Sequence, residues 1–88
     1  MKIKYSKKFT KRFKKLSPNL KNKIINSVSK FSNNPLDRTL RNHSLSGKLK
    51  GRKAFSVTGD IRIIFQEYNN YYLVIMLDVG THPQVYAS

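Results

Sequence analysis

The hydrophobic periodicity of this chain changes from helical to strand-like in the middle of the sequence, and that change limits the folds it can adopt. From residue 6 to residue 33 apolar side chains recur every three or four residues, the spacing of one helix face. After Gly47 the pattern becomes β-branched, aromatic and alternating, which is typical of strands. Helices followed by a run of strands predict an α+β fold, with the helices on one face of an antiparallel sheet.

Two helices are predicted in the first third of the chain, and each has its own start signal. The first carries Phe9, Phe13 and Leu16 at i, i+4 and i+7, with a serine N-cap at position 6. The second begins at Ser17–Pro18, because serine caps well and proline suits the first helical position, and it runs to an Asn-Asn-Pro stop. Its apolar stripe consists of Leu20, Ile24, Ile25, Val28 and Phe31. A tight corner joins the stripes, so we expect an αα-hairpin.

Four strands are predicted, over residues 2–5, 48–57, 61–66 and 71–79. Thr-Gly-Asp and Asn-Asn turn signals separate the last three. A Gly-Thr-His-Pro segment breaks the final strand and leaves residues 84–88 as a tail. The predicted fold is one α+β domain over residues 1–88, in the order β-α-α-β-β-β. It is a small twisted antiparallel sheet with the N-terminal αα-hairpin packed on one face.

The charge of the chain points to a polyanionic partner. Its 88 residues hold 18 Lys and Arg against 4 Asp and Glu, which gives a formal net charge of +14. The first 30 residues contain 11 of those bases and no acid, so general attraction to nucleic acid or to an acidic protein is expected there. No apolar run approaches the length of a membrane span and no secretory h-region is visible, so we expect a cytoplasmic protein without membrane contact.

Several kinds of catalytic site are excluded by the sequence. Cysteine is absent, which rules out disulfides and thiolate metal sites, and the two histidines and four acids lie in separate segments. A phosphate-binding glycine loop, an HExxH helix and a GxSxG elbow are also missing. We therefore expect neither a metal ion nor a cofactor.

What remains is a set of polar side chains at predicted strand ends. His43, Asp60, Arg62 and His82 flank the sheet, and one predicted strand carries Lys48, Lys50, Arg52 and Lys53. Cleavage of RNA needs a base for the 2′-hydroxyl, an acid for the leaving oxygen and cations for the phosphate. Each residue also has an ordinary explanation: a lone histidine in a turn is usually a surface residue, and Asp60 after a glycine is often a turn residue.

Three segments resemble a known family. They are His43-Ser-Leu-Ser-Gly-Lys-Leu-Lys-Gly51, Gly59-Asp60-Ile-Arg62-Ile-Ile-Phe65 and Gly80-Thr-His82-Pro-Gln-Val-Tyr86. In this order and spacing they resemble the RelE/ParE superfamily of bacterial type II toxins, and they are most similar to its YafQ-like branch of mRNA interferases. The resemblance implies an endoribonuclease that cuts mRNA in the ribosomal A site, and an acidic antitoxin from the same operon that holds it inactive.

The resemblance also implies roles for individual residues. His82 matches the C-terminal catalytic histidine, and His43 and Asp60 match two further acid–base candidates. Tyr86 matches an aromatic expected to stack on a base of the mRNA. Arg62 resembles a strand arginine of the RelE branch that supports the scissile phosphate. Beside them, the bases of the 48–53 segment are expected to contact RNA phosphates.

One position departs from the family pattern. The YafQ-like branch carries a further histidine four residues before its strand aspartate, and this chain has Ser56 there. A serine does not titrate near neutral pH, so Arg62 is expected to compensate electrostatically.

Three functions stay open at this point. The leading hypothesis is a metal-free, ribosome-dependent endoribonuclease acting by 2′-hydroxyl attack, which inhibits translation. A gyrase poison of the ParE type on the same fold is the second, since fold alone does not decide function. A non-catalytic RNA-binding module is the third.

Overall fold

The computed structural model describes residues 1–86 of the chain. Its elements are β1 (Lys2–Tyr5), α1 (Lys7–Lys14), α2 (Pro18–Asn33), β2 (His43–Ser44), β3 (Lys53–Ser56), β4 (Ile61–Tyr68), β5 (Leu73–Thr81) and α3 (His82–Tyr86). Single turns of 3₁₀ helix span Arg38–Leu40 and Gly47–Leu49. The α+β class and the predicted order of the major elements are confirmed. Within residues 1–86 no helix is long and apolar enough to cross a membrane.

Both predicted helices begin at the expected serines. The Ser6 hydroxyl accepts a hydrogen bond from the backbone N–H of Phe9 at 3.0 Å, and the Ser17 hydroxyl accepts one from Leu20 at 3.2 Å. The apolar stripes of α1 and α2 then pack on one face of the sheet, as the hairpin prediction requires.

The five strands form one sheet in the order β1-β5-β4-β3-β2. The β2–β3, β3–β4 and β4–β5 pairs are antiparallel, whereas β1 runs parallel to β5. The sheet is therefore mixed rather than wholly antiparallel. The reason is that β1 meets β5 from the far end of the chain, so no tight hairpin fixes the direction of that pair.

The apolar side chains divide into two clusters, one on each face. The helix-covered face holds the main core, including Phe31, Phe55 and Phe65, each with 0% exposure. The opposite face holds a smaller cluster of Ala54, Ile64 and Val85. Because Val85 belongs to α3, that short helix covers part of the second face, which we call the α3 face.

A β-bulge in β5 decides which face Asp78 occupies. Ile64 of β4 opposes Asp78, but the next residue of β4, Phe65, opposes Met76, so Leu77 is an extra residue in the ladder. Asp78 consequently shares the α3 face with Ile64, although simple alternation from Met76 would have placed it in the main core.

Several stretches differ from their predicted structure. The last strand spans Leu73–Thr81 rather than 71–79, and the two-residue strand β2 was not predicted. The strand predicted over 48–57 is formed only from Lys53 to Ser56, because Gly47 and Gly51 adopt left-handed φ values of 65° and 92° that do not fit a strand. The predicted tail is the helix α3 as far as residue 86, and the remaining two residues of the predicted 1–88 domain lie outside the described part.

Candidate active site

A cleft of about 330 Å³ opens on the α3 face between β2 and α3. It brings together both histidines of the chain, which the sequence separates widely, and it also contains Tyr86. The full lining consists of His43, Ser44, Leu45, Ser46, Leu49, His82 and Tyr86. This cleft is the candidate active site.

His43 enters the cleft from the two-residue strand β2. Its Nδ1 lies 2.8 Å from the carbonyl oxygen of Arg41, whose backbone has a left-handed φ of 52°. A carbonyl oxygen only accepts hydrogen bonds, so this contact requires a proton on Nδ1. In the neutral ring the lone pair is then on Nε2, which is the form a general base needs.

His82 is the first residue of α3, and a capping box fixes that helix start. The Gln84 side-chain oxygen accepts from the Thr81 N–H at 2.8 Å, and the Thr81 hydroxyl faces the Gln84 N–H at 3.4 Å. One turn later, the Tyr86 ring lies against the His82 ring, with centroids 4.2 Å apart. The exposed imidazole therefore has a defined position beside a half-buried phenol.

Tyr86 keeps its hydroxyl proton at neutral pH. Burial raises the pKa of its phenol above the ordinary value of 10.0, and the positive charge of Arg62 opposes that rise in part. The side chain therefore offers both an aromatic face and a neutral O–H donor to the cleft.

Arg62 lies on the α3 face but is held at the turn beside it. In the ladder it opposes Ser56 on β3 and Gly80 on β5. Its Nη1 donates to the carbonyls of Thr58 at 3.1 Å and Gly59 at 3.0 Å. Its register places this cation on the same face of the sheet as the cleft.

Asp60 is not brought into the cleft. It is exposed in the turn between β3 and β4, where its backbone N–H donates to the Thr58 hydroxyl at 3.2 Å. This contact is typical of a turn residue. The carboxylate of Asp60 does not line the cleft that contains both histidines.

The four bases of the 48–53 segment separate in the structure. Lys48 and Lys50 are exposed on the β2–β3 loop, on either side of the cleft residue Leu49, and Arg52 is exposed just before β3. Lys53 belongs to the other face of the sheet, where its Nζ lies 3.3 Å from Glu67 Oε2 and 3.3 Å from the Tyr71 hydroxyl. Three of the four bases are therefore exposed on the loop that contributes Leu49 to the cleft, and the fourth lies on the opposite face.

An ion cluster on the α3 face was not predicted from the sequence. Asp78, with a side chain only 7% exposed, lies 3.4 Å from Lys8 Nζ and 3.4 Å from Arg12 Nε. The Nη1 of Arg12 is buried and has no hydrogen-bond partner within residues 1–86. A sequence signal for this cluster does not exist, because only the bulge places Asp78 on this face.

No group of three or more histidine, aspartate or glutamate side chains within the described part of the chain could hold a metal ion. The cleft itself offers two imidazoles and a phenol.

The comparisons with known proteins agree with this fold and with the sequence resemblance. The family model described as bacterial toxin of type II toxin–antitoxin system, YafQ, matches residues 1–87. The structure is similar to YafQ from E. coli, with a TM-score of 0.81, 25% identity and 96% of each chain covered. It is also similar to the toxin-bearing E. coli DinJ–YafQ complex, with a TM-score of 0.77, 25% identity and coverage of 96% and 94%.

A more distant likeness extends the same fold. The YoeB/ParE toxin from Agrobacterium tumefaciens gives a TM-score of 0.77 at 13% identity, covering 93% of this chain and 99% of that one. A comparison with curated protein sequences gives no match. Since the family model spans nearly the whole sequence, the resemblance is confirmed, and the chain belongs to the YafQ family of bacterial toxins of type II toxin–antitoxin systems.

Proposed function

We propose that this toxin is a ribosome-dependent endoribonuclease that cuts mRNA in the ribosomal A site and so stops translation in the cytoplasm. The observation that carries the proposal is the cleft in which His43, His82 and Tyr86 meet. Two imidazoles on opposite walls of one cleft are the groups that acid–base cleavage of RNA requires near neutral pH.

In the proposed reaction His43 is the base and His82 the acid. Nε2 of His43 takes the proton of a ribose 2′-hydroxyl, and the 2′-oxygen attacks the neighbouring phosphorus. The bond from phosphorus to the 5′-oxygen breaks, and protonated His82 gives its proton to that oxygen. The products are a 2′,3′-cyclic phosphate and a 5′-hydroxyl, so atoms and charge balance without a metal ion.

The assignment of His43 as base follows from its tautomer. The Arg41 carbonyl keeps the proton on Nδ1, which leaves Nε2 as the acceptor. His82 is exposed at the start of α3 and is free to approach the leaving oxygen. Asp60 has no step in this scheme, because it does not line the cleft.

Cations around the cleft stabilise the charge that builds on the phosphate. Arg62 supplies a held guanidinium, while Lys48, Lys50 and Arg52 attract the RNA backbone from the exposed loop. Tyr86 stacks on a base or donates a hydrogen bond from its hydroxyl to the phosphate. Ser56 opposes Arg62 across the ladder, so the arginine occupies the neighbourhood where other family members have a third histidine.

The test is cleavage of a defined mRNA in a purified translation system, with wild type beside His82→Ala and His43→Asn. We expect each substitution to slow cleavage by about 100-fold or more, because general acid–base groups contribute at least that. New 5′ ends should accept phosphate from a polynucleotide kinase without prior phosphatase treatment. Wild-type cleavage that leaves 5′-phosphate ends, or equal cleavage by wild type and His82→Ala, contradicts the mechanism.

The same preparation separates the alternatives. Unchanged mRNA with accumulated gyrase–DNA breaks would support a gyrase poison, and binding of RNA without any cleavage would support a passive module. Binding of each variant to its antitoxin serves as the control for correct folding.

We further propose that an acidic antitoxin encoded beside the toxin neutralises it, as the E. coli DinJ–YafQ complex illustrates for a relative. An apolar groove of about 330 Å³ lies between α1 and α2, lined by Tyr5, Phe9, Thr10, Phe13, Ile24, Ile25 and Val28. Next to it lies a basic cleft lined by Tyr5, Ser6, Lys7, Thr10, Lys11, Lys14 and Lys15. Together they fit an amphipathic helix with an acidic flank.

A further inference from the structure

We propose that Tyr71, on the face of the sheet opposite the cleft, is a positioning residue for His43. It acts through the side chain of Asn42, the residue directly before His43. The inference rests on the proposed role of His43 as the base. The contacts that carry it are the hydrogen bonds joining Tyr71 to Asn42 and to Lys53.

The backbone around His43 has little support from the sheet. β2 consists of two residues, with His43 opposite Ala54 and Ser44 opposite Lys53, and one backbone hydrogen bond from Leu45 to Arg52 follows them. Both residues of β2 are exposed. A strand this short does not fix its own geometry, so the position of the imidazole depends on contacts made by neighbouring residues.

Asn42 provides such a contact on the other face. Consecutive residues of an extended chain point to opposite faces, so Asn42 reaches towards the main core when His43 faces the cleft. Its side-chain Nδ2 donates to the Pro35 carbonyl at 3.0 Å and to the Tyr71 hydroxyl at 3.0 Å. The amide thereby links the segment before β2 to the loop that follows α2 and to the β4–β5 turn.

Tyr71 is itself held from several directions. Its ring lies 6.0 Å from Phe31 and 6.3 Å from Phe65 by centroid distance. Its backbone N–H donates to Glu67 at 2.9 Å, and the Nζ of Lys53 donates to its hydroxyl at 3.3 Å. Its φ of 68° lies in the left-handed region, a costly conformation for an aromatic residue that persists only where surrounding contacts determine it.

The cleft side shows why this anchor matters for chemistry. The carbonyl that sets the tautomer of His43 belongs to Arg41, which also has a left-handed φ, of 52°. In this conformation the carbonyl oxygen lies 2.8 Å from Nδ1. The hydrogen bond from Asn42 to Tyr71 restrains the residue directly after Arg41 and so supports this turn from the opposite face of the sheet. Lys53, which was predicted to contact RNA, donates to the Tyr71 hydroxyl on the opposite face instead.

The experiment compares Tyr71→Phe with Tyr72→Phe. The first removes only the hydroxyl that Asn42 and Lys53 use and keeps the ring. The second removes the hydroxyl of the neighbouring residue, whose side chain is 71% exposed. We expect Tyr71→Phe to lower the rate constant of cleavage at saturation by about tenfold with an unchanged KM, and Tyr72→Phe to leave both unchanged.

Two further measurements separate positioning from general stability. The nitrogen chemical shifts of the His43 ring, measured on the free toxin, should change from one Nδ1–H tautomer to a mixture in Tyr71→Phe and stay as in wild type in Tyr72→Phe. In a His43→Asn background, Tyr71→Phe should add no further loss of cleavage, because its effect passes through that imidazole.

Unchanged ring shifts in Tyr71→Phe overturn the proposal. So does a Tyr71→Phe substitution that lowers cleavage by the same factor in the wild-type and His43→Asn backgrounds. The ring shifts need no catalysis. If wild type fails to cut mRNA while the shifts respond as expected, the proposed function is wrong and the positioning contact stands.

Discussion

At the scale of single residues, the position of α3 depends on a glycine that leaves room for a neighbouring side chain. Gly80 is buried at the end of β5, directly before the capping box. A Cβ at this position would lie 2.6 Å from Gln84 Oε1 and 3.3 Å from Arg12 Nη1. The φ of Gly80 is not left-handed, so the requirement for glycine comes from space and not from backbone conformation.

We therefore predict that Gly80→Ala displaces the Gln84 side chain and breaks its hydrogen bond with the Thr81 N–H. Loss of a cap should lower the free energy of unfolding by about 1 kcal/mol and should slow mRNA cleavage, because His82 begins the same helix. Urea unfolding and the translation assay measure the two effects.

Gly59→Ala is the matched control. A Cβ there meets nothing within 4 Å, and the residue has no left-handed φ, so stability and cleavage should stay close to wild type. A Gly80→Ala protein as stable and active as the Gly59→Ala protein would contradict this account of α3.

At the scale of elements, the two long helices could be predicted from the sequence, but the pairing register of the strands could not. The N-caps and apolar stripes of α1 and α2 are local signals, and the structure has both helices where those signals lie. The bulge at Leu77 depends on how β5 meets β4, which no local pattern encodes. Gly80 and Pro83 predict a break followed by a tail, whereas the Thr81–Gln84 capping box marks the start of the short helix α3.

The candidate site divides in the same way. Histidines at strand ends and the motif around them predicted the two imidazoles and Tyr86, which the structure brings to one cleft. The direction of Lys53 could not be predicted, because the strand begins only at that residue and its register decides the face. Arg41 and Tyr71 were missed because left-handed backbone at non-glycine residues has no reliable sequence signal.

Asp78 of β5 forms ion pairs with two residues of α1, so its removal should lower stability. We predict that Asp78→Asn lowers the free energy of unfolding by about 2 kcal/mol in urea titrations. Breaking a fully buried pair costs more, but the side chains of Lys8 and Arg12 are 50% and 33% exposed and recover hydration.

Asp60→Asn tests whether the loss is specific to that cluster. Its carboxylate is exposed in a turn, so this change removes the same charge and should alter stability by less than about 0.5 kcal/mol. Equal effects of the two substitutions would show that net charge, and not the ion cluster, determines the result.

At the scale of the whole molecule, the two proposed binding regions lie on different sides of the sheet. The apolar groove is formed by the two long helices, and the cleft opens on the α3 face. The +14 charge therefore divides between a lysine-rich helical surface and the cations around the cleft. An antitoxin seated in the groove need not touch the histidines.

We predict that Ile25→Asp weakens antitoxin binding by at least about tenfold and leaves mRNA cleavage by the free toxin unchanged. Ile25 lines the groove and is 56% exposed, so an acid there repels an acidic, apolar helix without disturbing the core. Leu36→Asp, at a residue 69% exposed outside the groove, is the control and should bind as wild type does. Titration calorimetry with the operon's antitoxin measures both; equal affinities would place the antitoxin elsewhere.

Two of the four acidic side chains, Glu67 and Asp37, make the stability of the fold depend on pH. The hydrogen bond from the Tyr71 N–H chiefly, and then Lys53, hold the pKa of Glu67 below its ordinary 4.5, and hydrogen bonds from Thr39 lower that of Asp37 below 3.8. A lowered folded-state pKa contributes stability that is complete above the unfolded value and lost as pH falls through the folded value. Each carboxylate that is protonated also adds to a net charge that is already +14.

We therefore predict that the free energy of unfolding stays level above about pH 5 and falls below about pH 4. Glu67→Gln should be less stable than wild type at neutral pH and should lose less on acidification, because the proton-linked part of its stability is gone. Asp37→Asn should flatten the curve in the same direction at lower pH, as its ordinary pKa is lower. Urea titrations from pH 2.5 to 7 in constant salt supply the curves, and a Glu67→Gln curve parallel to that of wild type would show that the Glu67–Tyr71–Lys53 contacts do not carry this pH dependence.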